Sequence, residues 1–148
     1  MKLLVAVDGS EPALEAVRHA LRLREAGLKA EIVLANVQEP TFLYEMVVPP
    51  TSEVLERVSG AFGHHALTGA EALLREAGVP FEHEVGSGEF APTLLSIARA
   101  RGCEGIVLGA RGLGAIRSAL LGSVSQAVVQ AANMPVTVVG LTAAGERS

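Results

Sequence analysis

The sequence predicts an α/β fold, a doubly wound five-stranded parallel sheet in the order 3-2-1-4-5 with helices on both faces, formed as a single domain over residues 1–148. Hydrophobic residues make up 49% of the chain and aromatics only 3%, so the core is built from Val, Leu, Ile and Ala. That composition suits parallel strands, which are buried on both faces and read as unbroken apolar runs. Such runs alternate here with stretches of helical period, and strand-helix-strand units of this kind close into one sheet through right-handed crossovers. A ligand of such a sheet is expected beyond the carboxyl ends of the strands, where the strand order reverses.

The elements follow in order. Residues 2–7 (KLLVAV) form the first strand, stopped by Asp8, Gly9 and Ser10. Ser10 is a suitable helix cap and Pro12 fits the first turn, so a helix begins there and carries Leu14, Val17 and Leu21 on one face until Gly27. Residues 31–37 (EIVLANV) are the second strand. The stretch 38–50 has no clean period and is bounded by Pro40, Pro49 and Pro50, which reads as a long loop with the length of a lid. Val54, Val58, Phe62, Leu67, Ala70, Leu73, Leu74 and Ala77 then outline an amphipathic helix from Ser52 to Ala77, which Gly60, Gly63 and Gly69 weaken, with a break expected near Gly63. After Gly78, residues 80–85 give a third strand of modest signal. Phe90, Leu94, Ile97, Ala98 and Arg101 mark the next helix, ended by Gly102, and residues 105–110 (GIVLGA) the fourth strand. Val124, Ala127, Val128 and Ala131 mark a last helix, and residues 135–141 (PVTVVGL) the fifth strand, ahead of a frayed tail.

Charge and composition exclude several functions. The net charge is −4 and no block of Lys or Arg occurs, so nothing here grips a phosphodiester backbone, and no nucleic-acid partner is expected. The apolar run before Asp8 is shorter than a signal peptide core or a membrane span, so no membrane partner is expected and the chain reads as cytoplasmic. The single cysteine, Cys103, has no partner for a disulfide or a CxxC pattern and reads as a small hydrophobe near a strand start. His64 and His65 are adjacent and point apart on a helix, while His19 and His83 stand alone, so no metal-ligand spacing emerges.

The chemistry concentrates between Gly109 and Ser123, in the segment GARGLGAIRSALLGS. Gly109, Gly112 and Gly114 let successive backbone N–H groups converge on one centre, a nest that binds phosphate oxygens. Gly122 and Ser123 sit at the first turn of the last helix, where free N–H groups and the positive end of the helix dipole favour an anion. The Ser123 and Ser125 hydroxyls add donors. A flexible linker would also be glycine-rich, but it would not place a serine at the helix start. Arg111 and Arg117 are read either as phosphate partners or as solvated side chains of a polar loop. Asp8, the one aspartate in the sequence, is read equally as a turn residue and as a ligand contact.

The spacing of Gly109, Gly112, Gly122 and Ser123, glycine-two-glycine-nine-glycine-serine, resembles the ATP-binding signature of universal stress proteins. The N-terminal VAVDGSEPA, the second strand VLANV, the final MPVTVV and the strand-helix order over residues 2–141 resemble that family too. Ala6 stands where the family often has proline. The resemblance implies ATP as cofactor, with Mg or Mn carried on its phosphates. Adenine would contact backbone near Ala6 and Val37. Phosphates would be held by Gly109, Ala110, Arg111, Gly112, Leu113, Gly114 and Ala115, by Gly122, and by Ser123, Val124 and Ser125. Asp8 would meet ribose hydroxyls, or the phosphate-bound metal through water, since a bare carboxylate repels triphosphate. No residue would ligate a metal directly.

The function expected is that of a nucleotide-dependent regulator in a stress response, with little or no hydrolysis. No evident general base lies near the loop and no Walker lysine follows its glycines, so no catalytic residue is assigned. Two alternatives stand beside it. One is a weak ATPase or a relative of the adenine-nucleotide α-hydrolases, whose SGGxDS-type loop is replaced here by VAVDGSEPA. The other is a nucleotide-free dimeric partner-binding protein, against which the glycine signature argues. A homodimer through the strand 135–141 is expected, because an apolar edge strand invites pairing with its copy.

Overall fold

A computed structural model describes residues 1–39, 52–110 and 123–140. Its strands are β1 (Lys2–Ala6), β2 (Glu31–Gln38), β3 (Phe81–Ser87), β4 (Gly105–Gly109) and β5 (Val136–Val139). Its helices are α1 (Glu11–Glu25), α2 (Ser52–Glu76), α3 (Phe90–Ala100) and α4 (Ser123–Ala131). All strands pair in parallel in the order β3-β2-β1-β4-β5. The expected order is the observed one, and β1, between β2 and β4, is where the winding reverses.

The residue alternation of the central strands splits the core into two layers. Leu3, Val5, Val7, Ile32, Leu34 and Val107 face α1 and α2, where Val17, Leu67, Ala70 and Leu74 close the layer. Leu4, Ala6, Val33, Ala35, Ile106 and Leu108 face α3 and α4, where Leu94, Leu95, Ile97 and Val128 do so. Helices therefore cover both faces. Each fully buried Leu or Ile contributes about 1.5–3 kcal/mol relative to leaving it exposed.

Local signals explain the helix ends. Ser10 caps α1 by accepting from the Ala13 N–H, with Pro12 inside the first turn. Helices α1, α2 and α3 stop just before Gly27, Gly78 and Gly102, which adopt positive φ.

Two sequence expectations need correction. The break near Gly63 does not occur: α2 is continuous from Ser52 to Glu76. Nor does His83 stand alone. Its Nδ1 lies 2.9 Å from Glu71 Oε2, and its ring meets His64 edge-on with centroids 5.5 Å apart. The strand bounds shift slightly as well. β3 runs to Ser87 rather than Val85, β4 ends at Gly109, and β5 is confined to Val136–Val139.

The two edges of the sheet differ chemically. On β3 the Arg101 guanidinium donates to Glu84 at 2.6 Å and to Glu82 at 2.5 Å, and Lys2 Nζ lies 3.7 Å from Glu82. These cations, Arg101 foremost, hold the Glu82 carboxyl below its ordinary range. On β5 the residues Val136, Val138 and Val139 are half-buried. Cys103 is buried, as expected, and burial pushes its thiol above the usual pKa.

Candidate functional site

The carboxyl ends of β1, β2 and β4 open into a cleft of about 390 Å³. Ala6, Val7, Asn36, Val37, Leu108 and Gly109 contribute from the strand ends, Asp8, Ser10, Pro12 and Ala13 from the start of α1, Phe90 from the start of α3, and Val124 and Ser125 from α4. Ala110 and Glu39 complete the lining. The cleft thus lies at the winding reversal, the position that open parallel sheets reserve for ligands.

The turn after β1 is fixed by Asp8. Its Oδ1 accepts from the Ser10 N–H at 2.9 Å and from the Ser10 hydroxyl at 2.5 Å, while the same hydroxyl oxygen accepts from Ala13 N–H at 3.4 Å. Of the two roles read for Asp8, the turn role is therefore formed. Only Oδ1 takes part, and Asp8 stays exposed in the cleft wall. Gly9, at φ 87°, allows the chain to turn away from the sheet here, with its Cα face against Ala66 of α2.

Gly109 ends β4 against the first turn of α1. A Cβ there would lie 2.5 Å from the Pro12 carbonyl oxygen and 2.6 Å from its carbon, so the glycine is demanded by close approach of two backbones. Ser125, 5% exposed, donates its hydroxyl to the Ala110 carbonyl at 3.3 Å and so ties α4 to the end of β4. Ser125 also lines the cleft.

Ala6, Asp8, Val37, Gly109, Ala110, Val124 and Ser125, all expected from the sequence, line one cleft. Ser123 opens α4. Arg111, Gly112, Leu113, Gly114, Ala115, Arg117 and Gly122 lie outside the described residues, as does the part of the 38–50 loop beyond Glu39. Among the described lining residues the charged ones are Asp8 and Glu39, both acidic. An anionic ligand must find its positive partner elsewhere, at the N-terminal end of α4 or beyond. Among the described residues no group of three His, Cys, Asp or Glu side chains is placed to hold a metal ion, and no helix is long and apolar enough to cross a membrane.

Sequence reasoning missed Asn36, Phe90 and Ser10 as lining residues. Asn36 carried a signal, a carboxamide inside the apolar run EIVLANV. Phe90 carried a weaker one, as one of four phenylalanines in the chain.

Comparison with known proteins places these features in a family. The family model described as the universal stress protein family matches residues 1–140. A universal stress protein of Thermus aquaticus, encoded in the QAH/OAS sulfhydrylase 3′ region, is 36% identical, over 93% of this chain and 96% of its own length. Among solved structures, a universal stress protein in complex with cAMP is 25% identical, with a TM-score of 0.64 over 94% of this chain and 95% of that one. An Arabidopsis thaliana family protein with AMP bound shares the fold at 23% identity, with a TM-score of 0.69 over 98% and 94% of the two chains.

Proposed function

This chain belongs to the universal stress protein family, and from that premise we propose that its cleft binds an adenine nucleotide and makes it a nucleotide-dependent regulator, acting in the cytoplasm with little or no hydrolysis. The observation that carries the reading is the convergence of the β1, β2 and β4 ends with the start of α4 around a single cleft. The cAMP-bound relative supports an adenine ligand. The volume of about 390 Å³ falls within the range typical of small-molecule sites.

The lining divides by chemistry. The apolar lining residues Ala6, Val37 and Phe90 suit a base, and the Val37 backbone supplies a donor and an acceptor. Asp8, with Oδ2 outside its turn bonds, suits ribose hydroxyls or a water on phosphate-bound Mg²⁺. The carboxylates of Asp8 and Glu39 disfavour direct contact with phosphates. They belong at the N-terminus of α4 and on the glycines from 109 to 115 and at 122, with ATP as the ligand and Mg or Mn carried on it. Dimerisation through residues 135–141 completes the reading, because β5 is an apolar strand at the sheet edge.

Calorimetric titration of the nucleotide-stripped protein with ATP, AMP, cAMP and GTP in Mg²⁺ tests the proposal, alongside Gly122→Val, which obstructs the phosphate loop. Adenine nucleotides bind, GTP binds weakly, and the variant loses ATP. Absence of binding by all of them at millimolar concentration would sink the nucleotide reading and leave the nucleotide-free partner protein in its place. Gel filtration showing a clean monomer at low micromolar concentration would remove the dimer.

A further inference from the structure

Asn36 is the only polar side chain buried in the body of β2 among the described residues, at 2% exposure, and it lines the cleft. Its Nδ2 donates to the Val7 carbonyl at 2.7 Å, and its Oδ1 accepts from Gln38 Nε2 at 2.6 Å. The orientation of the amide follows from chemistry: a carbonyl can only accept, so nitrogen faces Val7 and oxygen is left for Gln38. Both bonds are short, and Gln38 holds Asn36 in place from the same strand.

The backbone pairing shows what this arrangement prevents. In a parallel sheet alternate residues direct their N–H and C=O to alternate neighbouring strands. Val7 N–H donates to Ala35 O at 2.8 Å, and Gly88 N–H to Gln38 O at 3.0 Å, so Ala35 faces β1 and Gln38 faces β3. Val37 is therefore the next residue of β2 facing β1, and the regular rung would run from its N–H to the Val7 carbonyl. Among the described residues that rung is not formed, and the Asn36 carboxamide takes the carbonyl in its place. Val37 lies past the end of β1 and lines the cleft.

We propose that Asn36 is the positioning residue for base selectivity: by occupying the Val7 carbonyl it keeps the Val37 peptide edge free to read the base. A free N–H beside a free C=O complements an acceptor beside a donor. Adenine presents that pattern at N1 and its 6-amino group, and hypoxanthine presents the reverse at N1–H and O6. Without the Asn36 donor, the Val7 carbonyl recaptures the Val37 N–H and the reading edge closes. The inference rests on the adenine-nucleotide reading and adds to it the group that enforces the choice of base.

The test uses wild type, Asn36→Asp and Asn36→Ala, with two readouts. The first needs no ligand: amide hydrogen exchange of the Val37 N–H in the free protein. In wild type it exchanges much faster than the ladder-bonded amides of β2, and in either variant it becomes protected as the rung to Val7 forms. The second is the ratio of AMP to IMP affinity, expected at about tenfold or more in wild type, the usual consequence of mispaired polar groups at a buried edge, and near unity in the variants. Protection of the wild-type Val37 amide equal to that of Ala35 overturns the proposal even if neither variant folds. An unchanged AMP to IMP ratio, with both affinities lowered together, assigns Asn36 a purely structural role and also overturns it, while leaving the nucleotide reading intact. If wild type binds neither nucleotide, the nucleotide reading fails and this proposal falls with it.

Discussion

Replacing Gly109 with alanine should damage the fold and not merely the ligand site. The added methyl would sit 2.5 Å from the Pro12 carbonyl oxygen, 2.6 Å from the carbonyl carbon and 3.0 Å from Pro12 Cβ, against 3.4 Å where ordinary contact begins. The two closest atoms are backbone, so no rotamer change relieves the clash. Relief requires α1 to move away from β4, and α1 is held by Ala13, Ala16, Val17 and Ala20, all at 4% exposure or less. Overpacking of this kind typically costs about 1–3 kcal/mol, and the rigidity of both partners places Gly109→Ala in the upper half of that range. For a chain of this size each kcal/mol lowers the melting temperature by about 2–4 °C, so a fall of roughly 4–12 °C is expected. Urea denaturation should give a lower midpoint at unchanged slope. A variant that melts within a degree of wild type but loses nucleotide affinity would refute the reasoning, because Gly109 would then serve the phosphate loop and not the approach of β4 to Pro12.

The opposite result is expected at Gly69, within α2, where a Cβ would meet Leu14 Cδ2 at 3.4 Å, an ordinary contact with a movable side-chain end. Gly69→Ala should raise stability by up to about 1 kcal/mol through helix propensity, read as a higher urea midpoint. Cys103 should resist thiol reagents in the native protein and react on unfolding, since burial raises its pKa. The raised folded value also fixes a sign: stability is intact below the ordinary thiol pKa and falls as pH rises from there through the folded value, and Cys103→Ala should flatten that alkaline decline in a pH series of denaturation midpoints.

Much of this architecture could be read from local signals. Unbroken apolar runs marked β1, β2 and β4, because strands covered on both faces need no polar alternation. Ser10 and Pro12 marked the start of α1 to the residue. The continuity of α2 was not legible. A glycine costs a helix about 1 kcal/mol, but Leu67, Ala70 and Leu74, each at 0% exposure, hold the helix on the core from positions local propensity does not weigh. The partners of His83 were equally hidden, since Glu71 and His64 approach it only when α2 lies beside β3. In the cleft, Asn36, Phe90 and Ser10 were missed, while Ala6, Val37, Gly109 and Val124, at their own strand and helix ends, were legible. The reasons some of them are there were not. Gly109 read as part of a phosphate nest, yet its tightest constraint is Pro12, nearly a hundred positions earlier in the chain. Asn36 drew no reading of its own from the apolar run EIVLANV, and its partner, the Val7 carbonyl, is supplied only by the fold.

The contrast between the two rims of the sheet bears on how the molecule can meet copies of itself. The β3 rim carries Glu82 and Glu84 bound to Arg101, so an approaching strand would have to displace fixed charges before it could hydrogen-bond there. Among the described residues the β5 rim carries Val136, Val138 and Val139 with Thr137 exposed, and no such ion pair. A ribbon of sheets can grow without end only if every unit offers two adhesive rims. A unit with one adhesive rim consumes it in the first encounter and presents only blocked rims afterwards. In the dimer proposed through β5, self-association along the sheet would therefore terminate at a closed pair, with the charges on β3 acting as a stop on filament growth.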